Sequence, residues 1–273
     1  MLKKISLGLL SAGLVLGFSG CLDSKSGDAK AQNKEAQKLI VGATPEPHAV
    51  MLESIKETLK KEGVTLEIKE FTDYVTPNLS LNDGSLDANF LQHKPYMDSF
   101  NKEKGTKLVS VGAVHLEPMG VYSSKIKSLD ELKDGDSVSL PNDPSNGARA
   151  LKILEAQGLI KLKEGVELVS VQDIVDNPKN LTFKELDAPQ LTRALGDVTI
   201  SVINTNFALL AKLNPLKDAI AIESKDSPYA NILVVKEGNE KDERIQKLLK
   251  VLNSESMKEF INTQYKGAII PSF

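Results

Sequence analysis

Short apolar runs alternate with stretches of helical period along this chain, and that alternation most limits the folds open to it. Residues 39–43 form a buried-strand run, and Thr44-Pro-Glu-Pro47 turns it into a helix carrying Leu52, Ile55 and Leu59 on one face and stopping at Gly63. Residues 64–69 alternate as a strand. A polar segment then leads to a short apolar piece at 88–91, a helix over 95–104 and a strand over 108–114. A second set follows, with strands at 137–140, 166–171 and 198–203 and helices over 149–157 and 206–213. Residues 219–222 and 232–235 are further strands. The tail 243–265 is helical, with Ile245, Leu248, Leu249, Leu252, Met257, Phe260 and Ile261 on its inner side. Strands alternating with helices predict an α/β architecture rich in parallel pairing.

Ahead of this body stands an address label. Lys3 and Lys4 precede an apolar run over residues 5–18, broken only by Ser and Gly and ending Phe18-Ser-Gly-Cys21. This reads as a secretory signal peptide over residues 1–20, too short to span a membrane as a mature helix. Cys21 is the single cysteine, so no intrachain disulfide can form. Small residues directly before a lone Cys resemble a bacterial lipobox, in which Cys21 becomes the lipidated first residue; Phe18 departs from the usual Leu. The alternative is ordinary cleavage with a free thiol. Residues 22–38 are polar and charged without apolar period, so 21–38 reads as a lipidated flexible tether.

Loss of Lys3 and Lys4 takes 34 basic residues to 32 against 37 acidic, a formal charge of −5. No basic patch with interleaved aromatics is present, which argues against nucleic acid as a partner. The roughly 235 residues after the tether suit two domains better than one, at about 100–200 residues each. The chain is expected to cross between them near Leu116-Glu-Pro-Met-Gly120 and return near Ser227-Pro-Tyr229. That assigns 39–118 plus 228–273 to lobe I and 119–227 to lobe II.

Within this pattern, Asn142-Asp-Pro-Ser-Asn-Gly-Ala-Arg149 is the expected centre. Asn-Asp-Pro and Asn-Gly are turn dipeptides, and they sit between the strand at 137–140 and a run of helix formers stopped by Gly158. Arg149 is expected in or near the first helical turn, where unpaired backbone N–H groups suit a carboxylate or phosphate. Cations are disfavoured there, so Arg149 is placed for a ligand rather than for its helix. The alternative is an Arg that snorkels to solvent or pairs with a nearby Asp. Arg149, Asn204 and residues 90–93 all follow predicted strands, where ligands of α/β sheets bind.

Other chemistry is missing. His48, His93 and His115 are far apart in sequence and show no metal-ligand spacing, so no metal or other cofactor is expected. No Gly-x-Ser-x-Gly elbow or Walker loop occurs. Ser145 lies near Arg149, but no base is identifiable beside it, so no enzymatic activity is expected.

The quoted motifs carry a resemblance. The apolar leader with Cys21, Phe71-Thr-Asp-Tyr74-Val-Thr-Pro-Asn78, Asp87-Ala-Asn-Phe-Leu-Gln-His93-Lys-Pro-Tyr96 and His115-Leu-Glu-Pro-Met-Gly120 together resemble the NlpA/MetQ family. So do residues 142–149, Asn177-Pro-Lys-Asn180, Glu185-Leu-Asp-Ala-Pro-Gln-Leu191, Val202-Ile-Asn204 and Ser227-Pro-Tyr-Ala-Asn231. Members are methionine-binding lipoproteins that feed an ABC importer.

The resemblance implies an α/β, two-lobed periplasmic-binding-protein fold of type II kind, with the ligand in a cleft between lobes. It implies methionine as ligand, an importer permease and through it an ATPase as partners, and an extracytoplasmic membrane anchor at Cys21. Arg149 would clamp the α-carboxylate, with Asn146 as a weaker helper. Asn204 and Asn231 would hold the polar head, and Tyr74, Phe90 and His93 would wall the thioether. Guanidinium matches carboxylate, and sulfur packs well on aromatic rings. Leu91 stands where many members carry an aromatic residue, which leaves open another apolar amino acid or a short methionine-containing peptide. A surface adhesion or display lipoprotein is the alternative from another class.

Overall fold

The computed structural model describes residues 36–273, so the expected signal peptide, Cys21 and nearly all of the tether lie outside the described residues. Elements are numbered in chain order. A six-stranded sheet is built from β1 (Gln37–Ala43), β2 (Val64–Glu70), β3 (Ala88–His93), β4 (Leu108–Leu116), β12 (Ala230–Lys236) and β13 (Ile270–Pro271), in the spatial order β13-β4-β12-β3-β1-β2. β1 pairs in parallel with β2 and β3, whereas β12 runs antiparallel between β3 and β4. The sheet is therefore mixed rather than mainly parallel. Because β1 starts at Gln37, Gln37 and Lys38 are sheet residues and not tether.

A second, five-stranded sheet takes β5 (Gly120–Tyr122), β6 (Ser137–Pro141), β9 (Thr182–Leu186), β10 (Ile200–Ile203) and β11 (Ala221–Ile222), in the order β11-β5-β10-β6-β9. β6 lies parallel to both β9 and β10. A small antiparallel pair, β7 (Lys161–Leu162) with β8 (Ile174–Asp176), stands apart. Residues 117–119 carry the chain from the first sheet to the second, and residues 223–229 bring it back.

Strand alternation explains how both faces of the larger sheet are covered. Leu233 and Val235 of β12 join a core with α1 (Val50–Lys61), α7 (Glu243–Leu252) and α8 (Glu255–Tyr265). Ile232 and Val234 point to the other face, against Tyr96, Met97 and Phe100 of α3 (Lys94–Lys104) and Leu81 of α2 (Thr76–Asn82). In the second sheet Val138, Leu140, Ile200 and Val202 pack on Leu151 and Leu154 of α4 (Pro144–Ala156). Ile203 and Tyr122 pack with Leu191 of α5 (Leu191–Ala194) and Phe207 of α6 (Thr205–Leu210).

Several expected elements differ for local reasons. The apolar stretch 166–171 is loop leading into a 3-10 turn at Val171–Asp173: Gly165 takes a left-handed φ of 76°, and Asp173 accepts from both Ser170 N and Ser170 Oγ at 2.9 Å. Val169 is buried there without any strand partner. The tail is two helices, because Ser254 restarts the chain as the N-cap of α8, accepting from Met257 N at 3.3 Å. Asn146-Gly147 is helix rather than turn. Gly147 is small for another reason, since a Cβ there would meet the Pro141 carbonyl oxygen at 3.0 Å.

Candidate functional site

Residues that meet between the two sheets come from strand ends and helix starts. β3 ends at His93, which caps α3 by accepting from Tyr96 N at Nδ1 over 3.2 Å. That contact leaves the ring proton on Nε2, which donates to Asn146 Oδ1 at 3.0 Å. Burial first, then the nearby Arg149 charge, pushes His93 down to about 3, so it is neutral. Asn146 Oδ1 also accepts from Asn204 Nδ2 at 2.9 Å, while Asn146 Nδ2 lies 3.1 and 3.0 Å from the two oxygens of Asp143. Every polar atom of the Asn146 amide is thus engaged with protein, and its place is that of a brace across the cleft. Tyr74 makes a second bridge, donating to Asn206 Oδ1 at 2.6 Å.

α4 begins at Pro144, so Arg149 stands in its second turn rather than at its start. The helix N-terminus is occupied by its own cap: Asp143 accepts from Asn146 N at 2.9 Å and from Ser145 Oγ at 3.0 Å. Free backbone N–H groups at this helix start are therefore not what the site offers an anion. Ser145 spends its hydroxyl on that cap, and no imidazole hydrogen-bonds to it among the described residues.

Arg149 is 3% exposed and paired side-on. Nε donates to Glu223 Oε1 at 2.9 Å, and Nη2 donates to Glu223 Oε2 at 2.5 Å and to the Glu117 carbonyl at 2.7 Å. The Tyr229 ring lies 4.5 Å from the guanidinium carbon. Glu223 also accepts from Met119 N at 3.1 Å and from Ser227 Oγ at 2.9 Å. Arg149 is thereby tied to both segments that connect the sheets. Among the described residues, Nη1 has no protein partner.

These side chains close around a narrow cavity with a free volume of about 20 Å³, room for about one water molecule. Of the residues expected from sequence, Tyr74, His93, Asn146, Arg149, Asn204 and Asn231 line it. Phe90 does not. It is fully buried behind the cavity and meets His48 and His115 edge-on, at 4.7 and 5.3 Å between ring centres. Alternation along β3 explains this, because His93 closes the strand at the cavity while Phe90 faces the opposite core. Leu91 and Gln92, within the 90–93 stretch expected near the ligand, also line the cavity, as do Tyr96, Glu117, Thr205 and Asn206, which no sequence pattern assigned to it. Glu117 and Asn206 each follow a strand end directly or nearly so, the one signal that could have singled them out.

Two polar groups in the lining stand out. Among the described residues Asn204 Oδ1 is buried and has no hydrogen-bond partner, which is a costly arrangement unless a ligand donor meets it. Glu117 is buried beside His48 and His115, whose Nε2 atoms lie 3.2 and 2.8 Å from the same oxygen, Oε1. The two histidines, distant in sequence, stand 5.1 Å apart between ring centres, so sequence spacing hid their meeting. Their ligand atoms and a Glu117 oxygen lie within 4.8 Å of one another. Both imidazoles converge on one oxygen at hydrogen-bond distance, the geometry of a buried hydrogen-bonded network. Burial lowers His48 to about 4 and His115 to about 3, and it raises Glu117 against the opposing pull of His48 and Arg149.

This sequence matches the NlpA lipoprotein family over residues 39–273. Outer membrane lipoprotein 3 of Mannheimia haemolytica is 47% identical over 243 residues, covering 88% of this chain and 92% of its own length. The D-methionine-binding lipoprotein MetQ of Salmonella typhi is 45% identical over 258 residues, covering 93% of each. The solved structure of a nutrient binding protein from Burkholderia cenocepacia, bound to methionine, superposes with a TM-score of 0.84 at 47% identity, covering 86% of this chain and 100% of that one. The two-lobed α/β architecture is shared, and the chain belongs to the NlpA lipoprotein family.

Proposed function

We propose that this protein captures methionine outside the cytoplasm and delivers it to an ABC importer. The lobes are taken as 39–118 plus 228–273 and 119–227, closing on one free amino acid. The observation that carries the reading is the pairing of opposite, unfilled polar groups in one small cavity. Arg149 Nη1 is a cationic donor without a protein partner among the described residues, and Asn204 Oδ1 is a buried acceptor without one. An α-amino acid brings a carboxylate to the first and an ammonium to the second, with the Glu117 carboxyl lending further negative potential. Arg149 is held by Glu223, so the ligand carboxylate meets the free end of the guanidinium rather than its paired edge. Tyr74, Leu91, His93 and Tyr96 supply the apolar and aromatic wall for the thioether, with Phe90 packed behind. A micromolar ligand needs about −8 kcal/mol, within reach of one charged contact, a few hydrogen bonds and a buried apolar tail.

Methionine as the ligand is supported by the relatives whose names state it. Anchoring through a lipidated Cys21 and docking on a permease with its ATPase are inferred from the leader sequence and the family. Small molecules released on unfolding the purified body, residues 36–273, test the reading by mass spectrometry. Methionine at near one per chain is expected; a different occupant at that ratio would overturn it.

A further inference from the structure

Asn231 projects from β12 between His93 of β3 and His115 of β4, and it lines the cavity. Behind it stands His48, a fully enclosed histidine that the ligand contacts proposed above do not use. His48 Nε2 lies 3.0 Å from Asn231 Oδ1 and 3.2 Å from Glu117 Oε1, and Nδ1 lies 2.7 Å from Thr44 Oγ1. The proton positions are assigned from these contacts. Among the described residues His115 Nδ1 is buried without a partner, so the proton of that ring is placed on Nε2, donating to Glu117 Oε1 over 2.8 Å. Oε1 accepts that proton, and an ionised Glu117 is acceptor-only, so the same oxygen also accepts from His48. Burial keeps His48 neutral, with one ring proton. That proton belongs on Nε2, which faces two oxygens, while Nδ1 accepts from the Thr44 hydroxyl at 2.7 Å, the other acceptor of that hydroxyl, the Glu46 carbonyl, lying farther off at 3.4 Å. An Nε2–H donor demands the carbonyl oxygen of Asn231 on its side and turns the NH2 group away.

We propose that His48, held by Thr44 and Glu117, is a positioning residue for ligand capture: it fixes the Asn231 amide with its NH2 presented to the cavity, as a donor for the α-carboxylate. The two cavity asparagines then have opposite roles. Asn231 offers only donors, because its oxygen is committed to His48, and Asn204 offers only an acceptor, because its NH2 is committed to Asn146. Opposite fixed roles orient the amino-acid head in one sense. The inference rests on the amino-acid-binding reading above.

The test is a double-mutant cycle, read by calorimetric titration with methionine on wild type, His48→Phe, Asn231→Ala and the double variant. His48→Phe is expected to weaken binding by about tenfold, the effect of one lost net hydrogen bond. Asn231→Ala should weaken it comparably, and the double variant should be no weaker than Asn231→Ala alone, within about twofold. His48→Gln, which keeps an amide donor, should recover most of the affinity lost in His48→Phe. His48→Asn, too short to reach Asn231, serves in the same cycle should the Phe variant not fold. Losses that multiply in the double variant, or full affinity in Asn231→Ala, would overturn the assignment. Failure of the wild type itself to bind methionine would overturn the functional reading, a result distinct from both.

Discussion

Arg149 and Glu223 meet edge to edge, Nε on Oε1 at 2.9 Å and Nη2 on Oε2 at 2.5 Å, so the guanidinium is anchored on one side and open at Nη1. Through Glu223 and the Glu117 carbonyl, that anchor reaches both segments connecting the two sheets. On the proposed function, a ligand carboxylate at Nη1 would act on a side chain tied to both connections. Arg149→Lys keeps a charge but has neither the Nε edge nor a planar fork. It should weaken methionine binding by about 1.5–3 kcal/mol, the range for a hydrogen bond to a charged group. Calorimetry on the variant decides this, and unchanged affinity would remove Arg149 from the site.

Asn204→Ala deletes the buried, unpartnered acceptor of the cavity. Asn146 Oδ1 keeps its contact with His93, so the brace across the cleft is retained. Binding should fall by about 1–2 kcal/mol, with a smaller change in apo stability. A variant that binds as wild type would place the ligand ammonium elsewhere.

Closure offers a separate readout. Asn231 lies on the six-stranded sheet, and Arg149 lies on a helix packed against the five-stranded one. A ligand shifts open to closed only through its difference in affinity for the two states. Asn231→Ala should reduce methionine-induced compaction in small-angle scattering while leaving the apo profile unchanged. Full compaction in that variant would mean Asn231 takes no part in closure.

His93 gives the fold an acid sensitivity whose sign is fixed. Its pKa falls from 6.5 to about 3 on folding, so below pH 6.5 the unfolded chain binds the proton that the folded one refuses. Stability from this residue is complete above pH 6.5 and is lost as pH falls towards 3. Between about pH 7 and pH 5 the loss is about 2 kcal/mol. Urea unfolding of His93→Gln at the two pH values should show a smaller drop than the wild type. Equal drops would show that His93 titrates normally in the folded protein.

Much of this site is legible in the amino-acid sequence because its residues sit at strand ends. Arg149, Asn204 and His93 each follow a short apolar run, and such positions gather at one edge of an α/β sheet. The helix at α4 is legible too, but its start is not. Asn-Asp-Pro-Ser-Asn-Gly reads as turn chemistry, yet Asp143 spends its carboxylate capping the helix, and Gly147 is needed for close approach to Pro141. Phe90 faces away from the expected side because a one-residue difference in a strand reverses its face. Glu223 and the meeting of His48 with His115 depend on contacts between residues far apart in sequence, which no local pattern reports. The loop at 166–171 buries Val169 as a strand would and so mimics one.

The anchor is tested independently of the cavity. Cys21→Ser removes the thiol that lipidation requires, so the protein should move from the membrane fraction to the soluble one. A membrane-bound Cys21→Ser protein, together with unacylated Cys21 in the wild type, would contradict the lipobox reading.

A cavity built for methionine must prefer it over an amino acid of similar size, and titration of the emptied protein shows whether it does. The body should be unfolded, dialysed free of any small molecule, refolded and titrated in parallel with methionine and with leucine, which has a similar apolar tail and no sulfur. Saturation by methionine at one per chain with micromolar or tighter affinity is expected, with markedly weaker binding of leucine. No heat with methionine, or equal affinity for leucine, would contradict the assignment of methionine as the ligand.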